Sequence, residues 1–415
     1  MRRALVLLSG LLAALLLALG GGTAQASQTC ELMRSWLHQG GGAASGLLVV
    51  DAESGQVLCG SAPNRPRSLA SNMKLFTTAT ALSRIGPNAR IPTRVFRDGR
   101  VDADGILHGS LYLRGGGDPT LGTPRFYDSY LAGLGTDVFD LVPQIKQTGI
   151  RRITGRLYAD DTIFDRRRGV ADSGYATSPY IGPLSGLAFN SGFSGATSAS
   201  GFSSDPAKLA ATKLARALGA AGVAVPRQVA LSPTPPNAGR VAIVRSPTLT
   251  RIVNTTDVWS DNFFAETLIK LLGARFGGAG TTAAGARVVA RFAREQGSGV
   301  HAVDGSGLTR SNRASPGQVV SLLLAMRRGP AGEAFVHDLA VAGHEGTVAD
   351  RMHGTAAYGR CRTKTGTLTG VSNLSGYCFN HSGRVIAFSV LMNGVGDLGL
   401  AHLDQDRIAA AAAGY

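Results

Sequence analysis

Lysine is scarce in this chain. Of its 42 basic residues only six are lysines, and the other 36 are arginines. An ammonium group can lose its proton and act as a base, whereas a guanidinium group effectively cannot. The positions of the few lysines are therefore informative. Two of the six lie in the short motifs Ser71-x-x-Lys74 and Lys364-Thr365-Gly366.

Histidine-based metal motifs are missing as well. The eight histidines show neither H-E-x-x-H nor H-x-H spacing, which argues against the usual zinc sites. The glycine-rich segment at 115–118 suggests a phosphate loop, but it lacks the Lys-Ser/Thr pair of a P-loop. The sequence therefore predicts neither a metal site nor a phosphate loop.

The N-terminus has the pattern of a secretory signal peptide. Arg2 and Arg3 precede an apolar stretch at 4–19, and Ala24-Gln25-Ala26 matches an A-x-A cleavage site. We predict a signal peptide over 1–26 and a mature chain exported to the periplasm or the cell exterior. An uncleaved membrane anchor is the alternative. The C-terminal tail lacks the basic amphipathic pattern of a membrane-surface helix, which favours a soluble protein.

Cysteine is also rare, with four residues in the chain. In an exported protein four cysteines suggest two disulfides, for which three pairings exist. We favour the local pairs Cys30–Cys59 and Cys361–Cys378 as a hypothesis. The alternative is that the four serve as ordinary small hydrophobic residues.

The charge balance is strongly basic, with a formal net charge of +15. Export argues against nucleic acid as the partner, and the sequence has no run of five or more basic residues. An anionic cell-envelope polymer is the partner that the charge favours. An arginine-rich surface that serves only solubility is the open alternative.

Residue patterns along the chain predict an α/β (α+β) protein. Strands are predicted at 46–51, 56–60, 110–114, 155–159, 359–368, 372–379 and 384–392, and helices at 71–85, 206–219, 260–273, 281–296, 316–327 and 403–413. The last three strands follow one another with short connections, which indicates an antiparallel meander. The middle region is glycine-rich and has one clear predicted helix, which indicates an insertion into a domain built from both ends of the chain. We predict one domain from 27–95 and 239–415, and a smaller β-rich domain over 96–238.

Ser71 and Lys74 stand three residues apart at a predicted helix start, so their side chains share one face. A serine hydroxyl needs a base within hydrogen-bond reach, and a lysine of lowered pKa can be that base. This is the only S-x-x-K in the chain. Alone, the motif is equally compatible with a surface helix turn.

Ser260-Asp261-Asn262 precedes an apolar, helix-like stretch. A hydroxyl and an amide at this position could relay a proton and hold a substrate amide. In isolation such a turn is more often a helix N-cap.

Lys364-Thr365-Gly366-Thr367 lies within a predicted strand. Gly366 leaves room for a ligand backbone, and an extended peptide could pair with the strand edge. Lys364 and the two threonine hydroxyls would then face a substrate carboxylate. The alternative is an edge lysine that discourages aggregation.

The order S-x-x-K, S-x-N, K-T-G is typical of the serine enzymes that react with penicillin. The chain resembles the D-alanyl-D-alanine carboxypeptidase/endopeptidases of the penicillin-binding-protein 4 type over essentially its whole mature length. Further segments that resemble this family are 113–121, 304–310, Gly346-Thr347 with Arg351, and 364–377. The resemblance implies a penicillin-recognising, transpeptidase-like domain with a central antiparallel sheet flanked by helices.

The resemblance also implies roles for the motif residues. Ser71 would be the nucleophile and Lys74 its general base, while Ser260 and Asn262 would relay protons and place the substrate. Lys364 would bind the terminal carboxylate of a peptidoglycan stem peptide. By the same resemblance the backbone amides of Ser71 and Thr367 would form the oxyanion hole, and β-lactams would acylate the serine.

Three further residues match family positions near the pocket for the stem-peptide side chain, namely Asp160, Arg351 and Thr369. One departure is that Leu187-Ala188-Phe189-Asn190 leads almost directly into the predicted helix at 206. The family normally inserts a third domain there, so we expect this domain to be absent or reduced to a loop.

Two rival functions are weighed against a serine DD-peptidase. A class A serine β-lactamase would need a glutamate, usually in an E-x-x-L-N context, and Glu266, Glu295, Glu333 and Glu345 all lack it. A catalytically weak wall-binding protein is the second rival, against which the intact motifs argue. The sequence leaves carboxypeptidase and endopeptidase activity unseparated.

Overall fold

The computed structural model describes residue 25, residues 27–226 and residues 228–415. Of the predicted signal peptide only residue 25 falls within this range, so that prediction lies outside the described residues. Within the described residues, none of the helices has both the length and the apolar character that crossing a membrane requires.

The described chain contains both helices and strands. The helices are α1 (27–41), α2 (Met73–Ile85), α3 (Pro124–Tyr130), α4 (Leu141–Gln147), α5 (Pro206–Ala220), α6 (Leu249–Val258), α7 (Asn262–Phe276), α8 (Thr282–Glu295), α9 (Pro316–Arg328), α10 (Gly332–His337) and α11 (Leu398–Gly414). The strands are β1 (Gly46–Asp51), β2 (Val57–Ser61), β3 (Arg67–Ser68), β4 (Arg90–Arg97), β5 (Arg100–Val101), β6 (Ile106–His108), β7 (Leu111–Arg114), β8 (Leu121–Gly122), β9 (Thr136–Asp137), β10 (Arg152–Ile153), β11 (Leu157–Asp160), β12 (Val229–Leu231), β13 (Gly239–Thr248), β14 (Arg313–Ala314), β15 (Ala340–Val341), β16 (Cys361–Leu368), β17 (Val371–Phe379) and β18 (Val385–Asn393).

The chain divides into two compact units. The first contains the described residues up to Ser68 together with Ala314–Leu324 and Ala340–Tyr415, and the second contains the described residues of Leu69–Arg313 and Ala325–Leu339. These boundaries differ from the predicted domains because compactness groups α2 with the middle region of the chain. The predicted domain over 96–238 stays a prediction.

A six-stranded antiparallel sheet organises the first unit, in the order β15-β16-β17-β18-β1-β2. The predicted meander of β16, β17 and β18 is thereby confirmed. Helix α11 packs on β17 and β18, and the sheet residues beneath it are apolar and buried. The closing helix begins at Leu398, five residues earlier than the pattern predicts, because Asp397 caps it by accepting from Leu400 N.

Both favoured disulfides form in this unit. Cys30 of α1 bonds to Cys59 of β2, and Cys361 bonds to Cys378, its register partner on the neighbouring strand. The described residues include no free cysteine. The local pairing is confirmed, and the second bond fixes β16 to β17 at the end of the strand that carries Lys364.

A five-stranded mixed sheet and a helical layer form the second unit. The sheet order is β12-β11-β7-β4-β13, with β11 parallel to both its neighbours and β4 antiparallel to both of its own. One hydrophobic core covers this sheet, and its members run from Val95 to Val244. Helix α2 packs against α6, α7 and α8.

The middle region has more helix than the sequence indicates. Besides α5, which Asp205 caps as predicted, it contains α3 and α4, each of seven residues. The expectation of one clear helix is therefore wrong, because two helical turns are too short for an apolar periodicity to show. Between 190 and 205 the chain forms two 3-10 turns and a short bridge from Phe193 to Phe202.

The Cys361–Cys378 bond closes a loop of 17 residues inside the main sheet. Replacing both cysteines with alanine should lower the free energy of unfolding by about 2–4 kcal/mol, because the unfolded chain regains the entropy of an open loop. Urea unfolding of the double variant and of the wild type measures this difference. An unchanged midpoint would contradict the bond's contribution.

Candidate active site

Ser71 sits on a sharp turn at the start of α2. It lies in a 3-10 turn at Ala70–Asn72, and Ala70 has a left-handed backbone with φ of 43°. A neighbouring loop passes so close that a side chain at Gly307 would collide with the Ala70 carbonyl. Strained backbone of this kind is often found at functional sites, where the surroundings hold it in place.

Lys74 follows one turn later and is fully buried. Its Nζ donates three hydrogen bonds, to Ser71 Oγ at 3.1 Å, Asn262 Oδ1 at 2.7 Å and the Ser306 carbonyl at 2.8 Å. An ammonium group has three protons to donate, so all three are used. The predicted base therefore lies within hydrogen-bond reach of the predicted nucleophile.

Burial lowers the pKa of Lys74 to about 8, while the carboxyl groups of Asp261, Asp304, Glu266 and Asp257 act in the opposite direction. Near pH 8 about half of the molecules then carry a neutral amine. A neutral amine in contact with a serine hydroxyl can take its proton, which is the activation that serine nucleophiles require.

Ser260 and Asp261 lie in the connection from α6 to α7, and Asn262 is the first residue of α7. Asp261 is the N-cap of α7 and accepts from Phe264 N at 2.8 Å. The helix N-cap, which is the alternative interpretation of this motif, is therefore present in the structure. Asn262 also contacts Lys74, and its Nδ2 donates to the Tyr180 carbonyl at 3.1 Å. Ser260 precedes them with a left-handed φ of 58°. Capping and site formation thus coexist in one turn.

Glu266 is a part of this site that the sequence analysis weighed only as a β-lactamase glutamate. It lies one turn after Asn262 on α7, fully buried, and its Oε1 accepts from Gly305 N at 2.9 Å and Ser306 N at 2.7 Å. The Ser306 carbonyl in turn accepts from Lys74. Glu266 therefore positions the loop that supplies one of the three acceptors. A carboxylate four residues after the motif asparagine, on the same helix face, was the available signal.

Asp304 holds the other side of the same loop. Its carboxylate accepts from Gly307 N at 2.7 Å, Thr309 N at 2.9 Å and Asn312 Nδ2 at 2.6 Å. Burial, and after it the nearby charge of Asp304, raises the pKa of Glu266 to about 8. Glu266 and Asp304 thus hold the two sides of one buried loop.

Lys364 and its neighbours lie in the other compact unit, on β16. Lys364 is buried, stands opposite Ser375 and donates to the Thr365 carbonyl at 3.1 Å. Strand β15 pairs with Arg362 and Thr363 only. Strand β17 pairs with the opposite edge of β16 along its whole length. On the β15 side, none of the described strands pairs with β16 from Lys364 onward, so this part of the sheet edge is open. Thr365 Oγ1 donates to Thr347 Oγ1 at 2.7 Å, while Gly366 is buried and Thr367 is exposed.

Two of the remaining predicted residues are engaged in internal bonds. The oxygens of Asp160 accept four hydrogen bonds from the amides and hydroxyls of Thr162 and Thr234. Burial acts to raise the pKa of Asp160, but these hydrogen bonds together hold it below its usual value. Arg351 donates to Asp406 Oδ1 at 2.6 Å and to Gln405 on α11.

Thr369 is exposed in the turn between β16 and β17. The ligand roles of Asp160, Arg351 and Thr369 stay predictions. Across the described residues, no group of three or more His, Cys, Asp or Glu side chains is arranged to hold a metal ion.

The comparisons with known proteins agree with the motifs. A family model described as the D-Ala-D-Ala carboxypeptidase 3 (S13) family matches residues 32–201 and 194–413. A D-alanyl-D-alanine carboxypeptidase of Actinomadura sp. (strain R39) is 32% identical over 434 residues, which cover 85% of this chain and 78% of the relative. The carboxypeptidase DacB of Mycolicibacterium smegmatis is 31% identical over 373 residues, which cover 86% and 78%.

Among solved structures, penicillin binding protein 4 (dacB) from Haemophilus influenzae is similar with a TM-score of 0.75. The match covers 90% of this chain and 97% of that one at 21% identity, so it shows the fold. The mixed α/β architecture of a penicillin-recognising serine peptidase, predicted from the sequence, is confirmed.

The pKa of Lys74 predicts the pH dependence of acylation. Only the neutral amine can accept the Ser71 proton, so the rate with a fluorescent penicillin should rise with pH and level off above about 8. Lys74→Arg keeps the charge but cannot deprotonate, and should slow acylation at least about 100-fold at every pH. A flat profile in the wild type, or an active arginine variant, would contradict Lys74 as the base.

Glu266 should act as a positioning residue. Glu266→Ala leaves the buried amides of Gly305 and Ser306 without an acceptor, which should slow acylation about 5- to 100-fold. Glu266→Gln keeps an acceptor oxygen for both loop amides, so it should stay close to wild type. Stopped-flow acylation measures all three proteins. Equal losses in both variants would contradict this role.

Proposed function

The chain belongs to the D-Ala-D-Ala carboxypeptidase 3 (S13) family, and we propose on that premise that Ser71 cleaves the bond between the two terminal D-alanines of a peptidoglycan stem peptide. One observation carries the proposal. Ser71 Oγ lies 3.1 Å from the Nζ of a buried lysine whose pKa burial lowers to about 8.

The reaction follows from this contact. Neutral Lys74 takes the Ser71 proton as Oγ attacks the peptide carbonyl, and the resulting oxyanion is held by backbone amides, proposed to be those of Ser71 and Thr367. The C–N bond then breaks, and terminal D-alanine leaves with the proton returned by Lys74, relayed through Ser260. Water activated by the same amine hydrolyses the acyl-enzyme and restores Ser71.

Substrate alignment is proposed for the open edge of β16. An extended stem peptide can add to this edge as a further strand, because the edge from Lys364 onward has no partner strand in the sheet. The terminal carboxylate would then meet the Lys364 ammonium and the hydroxyls of Thr365 and Thr367. Gly366 carries no side chain that would hold the ligand backbone away.

The pocket for the stem-peptide side chain is proposed to involve Asp160, Arg351 and Thr369. Asp160 and Arg351 already have internal partners, so each would add a ligand contact to an existing set of bonds. Cleavage of D-Ala–diamino acid cross-links by the same serine is proposed as a second activity of this site.

The middle of the chain is proposed to be an inserted domain over 96–238 without the third domain that the family normally has. Its own hydrophobic core, from Val95 to Val244, supports the insertion. The two stretches matched by the family model overlap at 194–201, where the chain forms short turns. Both observations support the proposal that the third domain is absent.

The cellular context is also part of the proposal. Residues 1–26 are proposed to direct export, and the mature protein is proposed to be soluble in the periplasm or at the cell wall. Its partners would be peptidoglycan stem peptides, β-lactams as inhibitors and, given the charge of +15, anionic cell-envelope polymers.

The decisive experiment is intact-mass analysis of the mature protein after incubation with benzylpenicillin. We expect one stable adduct on the wild type and none on Ser71→Ala. Ser83→Ala is the matched control, because Ser83 lies on the same helix α2 with an exposed side chain, and it should form the adduct normally.

Each other outcome identifies a rival. An adduct on Ser71→Ala would place the nucleophile elsewhere, and no adduct on any of the three proteins would favour a wall-binding protein. Rapid turnover of nitrocefin with no lasting adduct would favour a β-lactamase.

A further inference from the structure

One face of the five-stranded sheet is lined with arginines. Arg94 on β4 stands directly opposite Arg114 on β7, while on β13 Arg245 stands opposite Pro92 and Arg240 opposite Phe96. Register partners in a sheet project to the same face, and alternate residues of one strand share a face. The four guanidinium groups, which we call the sheet arginines, therefore lie on one side. The other side carries the hydrophobic core.

The sheet arginines repel one another. Burial, and after it the charges of Arg240, Arg114 and Arg245, lowers the pKa of Arg94. Like charges placed directly opposite each other destabilise a sheet. Within the described residues, the sheet arginines make one ion pair, in which Arg114 lies 3.6 Å from Asp160. Asp160 already accepts four other hydrogen bonds. Asp98 also lies on this face, where its carboxylate accepts from Tyr112 Oη at 2.6 Å. The four sheet arginines therefore outnumber the two carboxylates of the face, Asp98 and Asp160.

The positive surface continues beyond the sheet. Arg275, at the end of α7, is close enough to Arg94 for their charges to interact. Next to it, a groove of about 430 Å³ is lined by Phe276 and by three arginines of α8. These helix arginines are Arg287, Arg291 and Arg294, and all three are exposed. The carboxylate nearest in sequence, Glu295, is paired with Arg84.

We propose that the sheet arginines, Arg275 and the helix arginines together form a docking track for a phosphate-bearing polymer of the cell envelope. An elongated row of cations suits a chain of repeated anions better than a single small ion. Arginine in place of lysine favours phosphate, because its planar guanidinium donates paired hydrogen bonds to neighbouring oxygens. Several guanidinium groups can share one phosphate, which relieves the repulsion between Arg94 and Arg114.

This inference locates the partner class proposed from the net charge, and it does not depend on the peptidase activity. The track would hold the enzyme near the wall by contacts distinct from those of Ser71 and Lys74. If the track did not bind the polymer, the acylation of Ser71 would be unaffected.

The test is binding of the mature full-length protein to sodium polyphosphate, measured by calorimetry at two salt concentrations. The track variant Arg94→Gln/Arg245→Gln/Arg291→Gln is compared with the control variant Arg151→Gln/Arg152→Gln/Arg216→Gln. Both variants remove three positive charges from exposed or half-exposed positions in the same compact unit. We expect the track variant to bind about tenfold more weakly or worse, and the control to stay within about twofold of wild type.

Several outcomes would overturn the proposal. Equal weakening in both variants would mean that net charge alone attracts the polymer. Polygalacturonate or duplex DNA binding as tightly as polyphosphate, at matched charge concentration, would remove the preference for an envelope phosphate polymer. Each variant must still form the benzylpenicillin adduct, which shows that it is folded.

Discussion

The burial of one ammonium group, that of Lys74, is the constraint on which the site depends. A charged amine removed from water is costly unless every proton finds an acceptor. Its three acceptors come from different segments, namely the 3-10 turn before α2 through Ser71, the start of α7 through Asn262, and the loop carbonyl of Ser306. Unusual backbone accompanies this convergence. Ser260 adopts positive φ just before the Asn262 acceptor, and Ala70 does so just before Ser71.

The kind of acceptor matters as much as the number. Lys74 contacts a hydroxyl, an amide oxygen and a carbonyl, all uncharged, whereas buried Lys270 contacts the Asp165 carboxylate at 2.5 Å. Burial lowers the pKa of both lysines. The direct carboxylate stabilises the charged form of Lys270 and suits a structural role. Neutral partners leave Lys74 able to release its proton, and the more distant carboxyl groups, including Glu266, keep its pKa from falling further.

Much of this could be predicted from sequence because the signals are local. The strands β16 to β18 are runs of eight or nine residues between clear turns, and the S-x-x-K spacing fixes two side chains on one helix face. The hydrogen bond from Gly305 N to Glu266 joins residues 39 apart in the chain. The spacing from Asn262 can therefore point to Glu266 but not to the loop that it contacts. Asp160 shows a limit of prediction from family motifs. A family motif identifies the position, but two of the four hydrogen bonds that its carboxylate accepts come from Thr234, 74 residues away.

The division of labour between lysine and arginine follows from the same chemistry. On the outer face of the five-stranded sheet, cations stand close together and partly buried, conditions under which an ammonium group would tend to lose its proton. A guanidinium group keeps its charge there, because its ordinary pKa is high enough to absorb a lowering. At Ser71 the opposite property is needed, since a base must become neutral near physiological pH. A chain that places arginine on its surfaces and a buried lysine beside its serine thus assigns each cation to the task that its proton affinity permits.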